Sequence, residues 1–491
     1  MVSFLLPIAL GATLTCGRSI PRSAEQLSSA LDALTITNVE NVRGNIHLPR
    51  EADGLPVTWT SSDPSVISSD GLVRRQSVDQ EVTLTALIEH GGQVSHRNLT
   101  ASVKRQAALD PLEGYAFAYF TGNTREGENI YFAASKGNDA LQWQELNGGQ
   151  PALRSTQGTR GLRDPFIIRS HEGDKFFLIA TDLSIGSGTS WGDAVKSGSR
   201  YIEVWESEDL KTWSAQRHVL VSPETAGNTW APEAFYDEEL GEYLVFWASA
   251  IYAADDPNHN GQSYQRMMYA TTRDFVTFSE AKVWQDAGYA RIDSTVIQAN
   301  GQYYRFTKDE GGGGTGCTDI IEESSSSLSA GLDSWKQVVA CIGRDAGTKA
   351  VEGPTSFKSN PGDANGDKFY LFVDEYGGRG YIPLETADIA NPSWKVSSSY
   401  NLPKSPRHGT VIPVTAAELA SLNQLTTSTQ KRESDLLVVR KSPALTGYYA
   451  DPNVAVFGDT YYIYATTDGT PGWGGNEFYV WKSVSTVLLR T

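Results

Sequence analysis

The 491-residue sequence has few of the residues that metal, redox or nucleic-acid chemistry usually requires. It contains three cysteines and seven histidines, and their spacing does not match a zinc site. The 41 basic residues are outnumbered by 58 acidic ones and form no basic stripe, so a nucleic-acid partner is not expected. No phosphate-binding loop, nicotinamide fingerprint or nucleophile elbow occurs. We therefore expect chemistry that requires no cofactor.

Long apolar runs are also missing, apart from one near the N-terminus. Residues 4–14 are too few to span a bilayer and are followed by small residues, as in a signal peptide. We therefore expect residues 1–19 to be a signal peptide. The alternative is a frayed apolar terminus, because this segment lacks Lys and Arg before the apolar run. With no other stretch able to cross a membrane, the sequence predicts a secreted, soluble and monomeric protein without a membrane partner.

Cys317 and Cys341 remain after such a signal is removed. In an oxidising compartment they could form a disulfide, which would contribute about 3 kcal/mol in the chain-entropy model. The sequence leaves this pairing open, because sequence separation says nothing about the distance between Cα atoms. Asn98 begins the glycosylation sequon Asn-Leu-Thr, which fits the same secreted setting.

What the sequence does contain, 46 glycines and 22 tyrosines, suits strands and turns. Residues 20–106 alternate apolar and polar residues in short runs broken by Ser-Asp, Asp-Gly and Gly-Gly turns. This pattern predicts a small β-sandwich. The region resembles the reduced immunoglobulin-like modules of carbohydrate enzymes, and without a titratable cluster its expected role is packing or spacing.

Residues 110–415 contain a repeat in which an acidic residue precedes an apolar strand, a glycine-led turn and an aromatic strand. The leading acids of the four clearest copies are Asp164, Glu233, Asp293 and Glu352. A period near 60 residues with several strands in each repeat is typical of a β-propeller. The sequence therefore predicts an all-β protein, with a five-bladed β-propeller after the small sandwich.

The same repeat predicts where the chemistry lies. Inner strands of a propeller start near one end of the central axis, so we expect the four leading acids to share a phase and converge there. Converging carboxyls repel one another, so the pKa of at least one rises while others stay low. A general acid and a general base can then coexist at one pH. Hydrolysis of a glycosidic bond needs that pair and no cofactor.

Five motifs, in order and with blade spacing, resemble glycoside hydrolase family 43. They are "RDPFI" from Arg163, "TWAPEAFYD" from Thr229, "RIDSTVI" from Arg291, "VEGPTSFK" from Val351 and "RHGTVIPVT" from Arg407. The resemblance implies a five-bladed propeller enzyme that inverts the anomeric configuration. It also implies α-L-arabinofuranosidase, β-xylosidase or arabinanase activity on plant cell-wall arabinan, arabinoxylan or arabinogalactan.

The resemblance also assigns the carboxyls. Asp164 would be the general base that activates water, and Glu352 the general acid that protonates the leaving oxygen. Asp293 would orient the acid and keep its pKa high. Inversion further predicts a separation of roughly 6.5–9.5 Å between the base and acid carboxyls.

Four further residues are candidate substrate contacts: Trp230, Glu233, Arg291 and His408. Packing beside the site is the alternative for Trp230 and Glu233. His408 matches the family's axial histidine, which in some members contacts a bound calcium or a water. The resemblance therefore also implies a structural calcium on the propeller axis, and a structural histidine is the alternative.

The motif "YYADPNV" from Tyr448 restarts the propeller's first hairpin, with Asp451 in the place of the base. We therefore expect a linker at 416–442 and, at 443–491, the truncated first blade of a second propeller. The rival functions are a non-catalytic lectin, a retaining fructosidase and a structural adhesin. Three convergent acids argue against a lectin, and the missing Asn-Asp-Pro nucleophile motif argues against a fructosidase.

Overall fold

The computed structural model describes residues 23–311 and 315–425, and the backbone of residues 449–457, 460–467 and 478–483. Almost all regular structure in these residues is antiparallel β-sheet. The predicted all-β fold, a propeller after a small β-rich module, is confirmed. None of the described helices combines the length and the apolar character that crossing a bilayer requires. The predicted signal peptide, residues 1–19, lies outside the described residues.

The N-terminal module is a three-stranded sheet backed by a helix. Its elements are α1 (Ala24–Asp32), β1 (Glu51–Ala52), β2 (Leu55–Pro56), β3 (Thr58–Ser61), β4 (Gln80–His90) and β5 (Gln93–Val103). Alternate residues of β4, from Val82 to Ile88, are buried, and α1 contacts β4 and β5. Because α1 and the hairpin β1–β2 supply the second layer, the module is a reduced form of the predicted two-sheet sandwich.

Five four-stranded sheets follow the module. The first three strands are β6 (Leu112–Tyr119), β7 (Tyr131–Ser135) and β8 (Trp143–Glu145). The next sheets are β9 (Leu162–Arg169), β10 (Phe176–Asp182), β11 (Tyr201–Ser207) and β12 (Arg217–Leu220), then β13 (Trp230–Asp237), β14 (Glu242–Ala250), β15 (Gln265–Thr272) and β16 (Lys282–Gln285). They continue with β17 (Arg291–Ala299), β18 (Gln302–Asp309), β19 (Ile320–Ser325) and β20 (Lys336–Val339), then β21 (Glu352–Lys358), β22 (Phe369–Glu375), β23 (Gly380–Thr386) and β24 (Lys395–Val396). The last strand, β25 (Thr410–Thr415), pairs with β6.

The inner strands of the five sheets form a closed ring. Strand β9 contacts β13, β13 contacts β17, β17 contacts β21, β21 contacts β25, and β25 contacts β9. Because β25 comes late in the chain and pairs with β6, the two ends of the repeat close the ring together. The second strands β10, β14 and β22 are buried along almost their whole length. Both of their faces are covered by neighbouring sheets, which explains the continuous apolar runs of the sequence.

Polar contacts hold the module against the first two complete sheets of the propeller. The guanidinium of Arg75 donates to both carboxylate oxygens of Asp174 at 2.9 and 2.6 Å, and Arg43 donates to the same carboxylate at 2.8 Å. Asn45 donates to the carbonyl oxygen of Gly241 at 2.9 Å. The module is therefore packed on the propeller.

Three helices accompany the propeller: α2 (Trp191–Lys196), α3 (Ile342–Asp345) and α4 (Ala416–Leu422). Helix α4 falls in the predicted linker, yet it contacts β6 and β25. Its N-terminus is a capping box between Thr415 and Glu418, and Glu418 accepts a hydrogen bond of 2.7 Å from Arg169 on β9. The start of the predicted linker is thus packed on the propeller, and residues 426–442 lie outside the described residues.

Cys317 and Cys341 form a disulfide with their Cα atoms 5.8 Å apart, a distance that this bond allows. It connects the loop before β19 to the residue before α3. Asn98 of the predicted sequon is exposed on β5 and accepts a hydrogen bond from Thr85.

Three more strands belong to a second compact unit of the chain. They are β26 (Tyr449–Phe457), β27 (Thr460–Thr467) and β28 (Phe478–Ser483), and they form one antiparallel sheet. The register between β26 and β27 shifts between Ala450 and Asn453. The backbone of this unit therefore has the strand order that the repeated motif predicts for a blade.

The ion pair between Arg169 and Glu418 gives the first testable prediction. Burial raises the pKa of Glu418, but the hydrogen bond and the charge of Arg169 outweigh it and lower the pKa below its usual range. Both side chains are mostly buried, so Glu418→Gln should cost on the order of 2 kcal/mol at pH 7. A carboxyl with a lowered folded pKa stabilises above its unfolded pKa and loses that contribution as pH falls through its folded value. The cost should therefore shrink toward pH 3.

Urea unfolding across this pH range measures the effect. Glu25→Gln is the matched control, because Glu25 is an exposed first-turn carboxylate of α1. Equal losses in the two variants would contradict the importance of the Arg169–Glu418 pair.

Candidate active site

The inner strands of four sheets share an irregularity near their first residues. Two residues of β9, Asp164 and Pro165, occupy the space opposite one residue of β10, which is a β-bulge. Register shifts occur at corresponding places in β13, β17 and β21. In each shift one residue has a positive φ: Asp164 (47°), Ala231 (47°), Asp293 (50°) and Gly353 (54°). These four residues are therefore equivalent positions of the repeat.

This equivalence corrects one expectation from the sequence. Asp164 and Asp293 share a phase as predicted, but Glu233 lies two residues after its bulge position and Glu352 lies one residue before. At the fourth position a Cβ on Gly353 would approach the imidazole of His408 to 2.6 Å. Glycine is required there because both the positive φ and the close approach disfavour a side chain.

The structure nevertheless brings the predicted acids to one place. The Nδ1 atom of His408 lies 3.5 Å from Oδ1 of Asp164 and 3.9 Å from Oδ2 of Asp293. The charges of Glu233 and Glu352 also act on this cluster, since both interact electrostatically with Asp293 and His408. All four predicted carboxyls and His408 thus form one electrostatic cluster, named here the carboxyl cluster.

Asp164 is the carboxyl of this cluster that the surroundings keep ionised. Burial raises its pKa, but the hydrogen bond and charge of His408, the charge of Arg163 and a hydrogen bond from Thr181 outweigh burial and lower it. The hydroxyl of Thr181 donates to Asp164 Oδ2 at 2.8 Å. A buried carboxylate that stays charged can accept a proton, as a general base must.

The other carboxyls of the cluster have raised pKa values. Burial and the charges of Asp293 and Asp374 raise the pKa of Glu352 to about 8. Burial raises the pKa of Glu233 to about 8, and burial with the charge of Asp164 raises that of Asp293 to about 6. Glu352 is partly exposed, with 31% of its side chain accessible. It is therefore a protonated carboxyl that a solvent-borne substrate can reach.

His408 supplies positive charge to the cluster. Burial lowers its pKa, but the hydrogen bond to Asp164 and the charges of Asp293, Asp164 and Glu233 raise it to about 9. The imidazole is thus protonated at neutral pH. A protonated imidazole has no free lone pair, and calcium prefers oxygen ligands. The structural calcium expected on the propeller axis, and its contact with His408, stay predictions.

Arg407 and Asp374 are site residues that the sequence analysis did not single out. The Nη2 atom of Arg407 lies 3.6 Å from Oε1 of Glu352, and its Nε donates to Asp374. Asp374 on β22 is the cross-strand partner of Glu352. Arg407 directly precedes His408 in the motif "RHGTV", so the motif could have identified this arginine as a site residue. The register that identifies Asp374 is not visible in the sequence.

Trp230 is a partly exposed residue of an aromatic edge. Its ring packs edge-to-face on Trp191 of α2, with centroids 6.1 Å apart, and 49% of Trp191 is exposed. The guanidinium of Arg163, which directly precedes Asp164, lies over the rings of Trp191 and Phe120. Exposed aromatic faces are surfaces on which sugars can pack. Trp191 was missed because the segment that contains α2 carries no repeat motif.

Arg291 is engaged away from the carboxyl cluster. Its guanidinium donates to Glu323 at 3.3 Å and to the hydroxyl of Tyr289 at 3.3 Å. Glu323 also binds the buried Arg305. Arg291 is therefore part of a buried network of ion pairs. Its candidate role as a substrate contact stays a prediction.

The charge of His408 gives the second testable prediction. A histidine with a raised folded pKa stabilises fully below its unfolded pKa near 6.5, and that contribution is lost as pH rises through its folded value of about 9. The wild type should therefore lose on the order of 3 kcal/mol between these pH values, and His408→Gln should lose less.

An NMR titration of the imidazole protons tests this directly, with the His408→Gln spectrum assigning the resonance. The resonance should titrate near pH 9. His96→Gln, which changes an exposed histidine of the module, should leave that resonance and the slope of stability with pH unchanged. Titration near pH 6.5 would show that His408 is not the cation of the cluster.

Comparisons with known proteins identify the family of the chain. Residues 110–420 match the model of a glycosyl hydrolase family 43-related domain, described as a probable glycosyl hydrolase domain. Residues 27–106 match the model of an atrophied bacterial immunoglobulin domain. An α-L-arabinofuranosidase of Bifidobacterium longum subsp. longum is 33% identical over 445 residues, which cover 78% of this chain and 41% of the relative. The chain thus spans less than half the length of that relative.

Similar solved structures include an α-L-arabinofuranosidase from Lactobacillus brevis, with 15% identity and a TM-score of 0.32. That match covers 65% of this chain and 89% of the other. Another is the Cellvibrio cellulosa α-L-arabinanase complexed with arabinohexaose, with 12% identity and a TM-score of 0.38, covering 59% and 93%. The family model covers most of the chain, and the chain therefore belongs to the glycosyl hydrolase family 43-related family, with an atrophied bacterial immunoglobulin domain before its hydrolase domain.

Proposed function

We propose that this chain is a glycosidase that releases α-L-arabinofuranosyl residues from plant cell-wall polysaccharides with inversion of configuration. The opposite pKa shifts of Asp164 and Glu352 carry the proposal. One buried carboxyl stays ionised while a neighbouring, partly exposed carboxyl stays protonated at neutral pH. Glycoside hydrolysis requires this combination of base and acid.

In the proposed reaction each carboxyl has a separate task. Asp164 accepts a proton from a water molecule, and the water oxygen forms a bond to the anomeric carbon. Glu352 donates its proton to the glycosidic oxygen as the bond to the leaving sugar breaks. Asp164 then releases its proton to solvent and Glu352 takes up a proton from solvent, which restores both groups. The product sugar has the inverted anomeric configuration.

Asp293 and His408 adjust this pair without touching the reacting atoms. The charge of Asp293 is among the causes that raise the pKa of Glu352, which supports its proposed role as the modulator of the acid. His408 lowers the pKa of Asp164, so the base remains ionised beside three other carboxyls.

The choice of arabinose follows from the curated relative, whose name is α-L-arabinofuranosidase. The aromatic edge of Trp191 and Trp230 supports contact with a sugar ring. β-Xylosyl release is the alternative specificity in the same site. The disulfide supports the proposal of a secreted enzyme, because disulfides persist in oxidising compartments.

Replacement of the acid is the third prediction. Glu352→Gln keeps the shape of the side chain but cannot donate a proton, so kcat on an arabino-oligosaccharide should fall by about 10²–10⁴-fold. The loss should be smaller on an aryl α-L-arabinofuranoside, whose leaving group needs less protonation. Glu280→Gln, an exposed carboxyl, is the matched control and should keep full activity.

The assay panel includes aryl α-L-arabinofuranoside, aryl β-D-xyloside, arabinan and arabinoxylan, with the product anomer followed by NMR. Inverted arabinose that disappears in Glu352→Gln supports the proposal. Near-normal activity of that variant on an oligosaccharide rejects the acid assignment. Binding of arabinan by a folded wild type without hydrolysis favours a lectin.

The pH profile gives the fourth prediction. Glu352 acts in its protonated form, so activity should decline as pH rises through about 8. Asp293→Asn removes a negative charge that raises the pKa of Glu352. The alkaline limb of the pH–activity profile should therefore move to lower pH. Asp367→Asn, an exposed change, should leave the limb in place. A limb that does not move in Asp293→Asn would show that Asp293 does not set the pKa of the acid.

A further inference from the structure

A second group of potential ligands lies in the sheet β9–β12, and it shares no residue with the carboxyl cluster. One donor atom from each of Asp182, Glu203 and His218 lies within 4.8 Å of the others. Glu203 on β11 is the cross-strand partner of His218 on β12. Asp182 ends β10, two residues beyond Ala180, which is the partner of Glu203. Three adjacent strands thus present the donors on one face.

The two carboxylates of this group are buried. Glu203 is 0% and Asp182 is 3% exposed. Glu203 is held by Nε2 of Gln216 at 2.5 Å and by Nδ1 of His218 at 2.6 Å. The backbone N–H and the hydroxyl of Thr159 donate to Asp182, both at 2.7 Å. Two buried negative charges therefore have at most one positive partner, the imidazole, and an uncompensated buried charge is costly.

Asp182 also keeps an oxygen for a further partner. Both hydrogen bonds from Thr159 end on Oδ1. The residue beside Asp182 is Gly158, where a Cβ would approach Oδ2 to 2.2 Å. The backbone at Gly158 thus lies close to Oδ2, whereas the backbone N–H of Thr159 donates to Oδ1. Oδ2 is therefore the oxygen of Asp182 that a cation would approach.

We propose that Asp182, Glu203 and His218 bind a zinc ion. An imidazole nitrogen with two carboxylate oxygens is a donor set that zinc accepts, leaving one tetrahedral position for water. The two charges of zinc offset both carboxylates, and neutral His218 supplies its Nδ1 lone pair. The ring of His218 is fixed by stacking on Tyr201, with centroids 4.0 Å apart.

The bound ion would stabilise the segment that leads to Asp164. Thr159 contacts Asp182, and Gln216, the partner of Glu203, donates to Ser155 in the same segment. Thr181, adjacent to Asp182, donates to Asp164. The metal is thus structural, and the proposal does not depend on the proposed glycosidase activity.

Metal content and thermal unfolding of the purified full-length chain test the proposal. After treatment with EDTA and dialysis, ZnCl₂ is added and bound zinc is measured by equilibrium dialysis and elemental analysis. The wild type should retain one zinc per chain, and its unfolding temperature should rise. His218→Gln and Asp182→Asn should bind zinc at least about tenfold more weakly and lose the rise.

His259→Gln is the matched control, because His259 also stacks on a tyrosine, with centroids 4.3 Å apart, but is outside the group. It should bind zinc like the wild type. The isosteric Asp182→Asn keeps the test interpretable if His218→Gln fails to fold. Zinc content that is unchanged in both variants, no retained zinc in the wild type, or a response to CaCl₂ alone would overturn the proposal.

Discussion

The contact of the His408 imidazole with Asp164 and Asp293 is the interaction on which the rest of the hydrolase domain depends. The ring of inner strands brings four carboxyls together, and the cation of His408 stabilises the ionised form of Asp164 among them. His408 lies two residues before β25, the strand that closes the ring against β6. The segment that completes the fold therefore also supplies the charge that makes the crowded axis stable. Closure and neutralisation are coupled because one short stretch of chain performs both.

The repeat itself could be predicted from the sequence, because acidic residue, apolar strand, turn and aromatic strand recur with a constant period. The convergence of Asp164 and Asp293 follows from that period. The positions of Glu233 and Glu352 within it do not, because a β-bulge adds a residue to one strand without leaving a composition signal. Only the positive φ values reveal that Ala231 and Gly353 occupy the equivalent places.

Other parts of the structure differ in whether they could be predicted from the sequence. Helix α4 could have been predicted, since Thr415 and Glu418 have the spacing of a capping box. The pairing of Arg75 with Asp174 could not, because it joins the module to the propeller across 99 positions of sequence. Asp374 is hidden in the same way, since cross-strand register decides that it faces Glu352. Contacts between distant segments depend on packing that no local pattern records.

The division of roles between Asp164 and Glu352 follows from how the nearby cations are shared. Asp164 receives hydrogen bonds from both His408 and Thr181, so its charged form is favoured despite burial. Glu352 has Arg407 nearby, but the Nε of that arginine is committed to Asp374, whose own charge disfavours ionisation of Glu352. A shared arginine offsets less than an undivided one would. The acid thus stays protonated because its nearest cation is already paired with Asp374, and the base stays ionised because His408, Arg163 and the hydrogen bond from Thr181 together outweigh its burial.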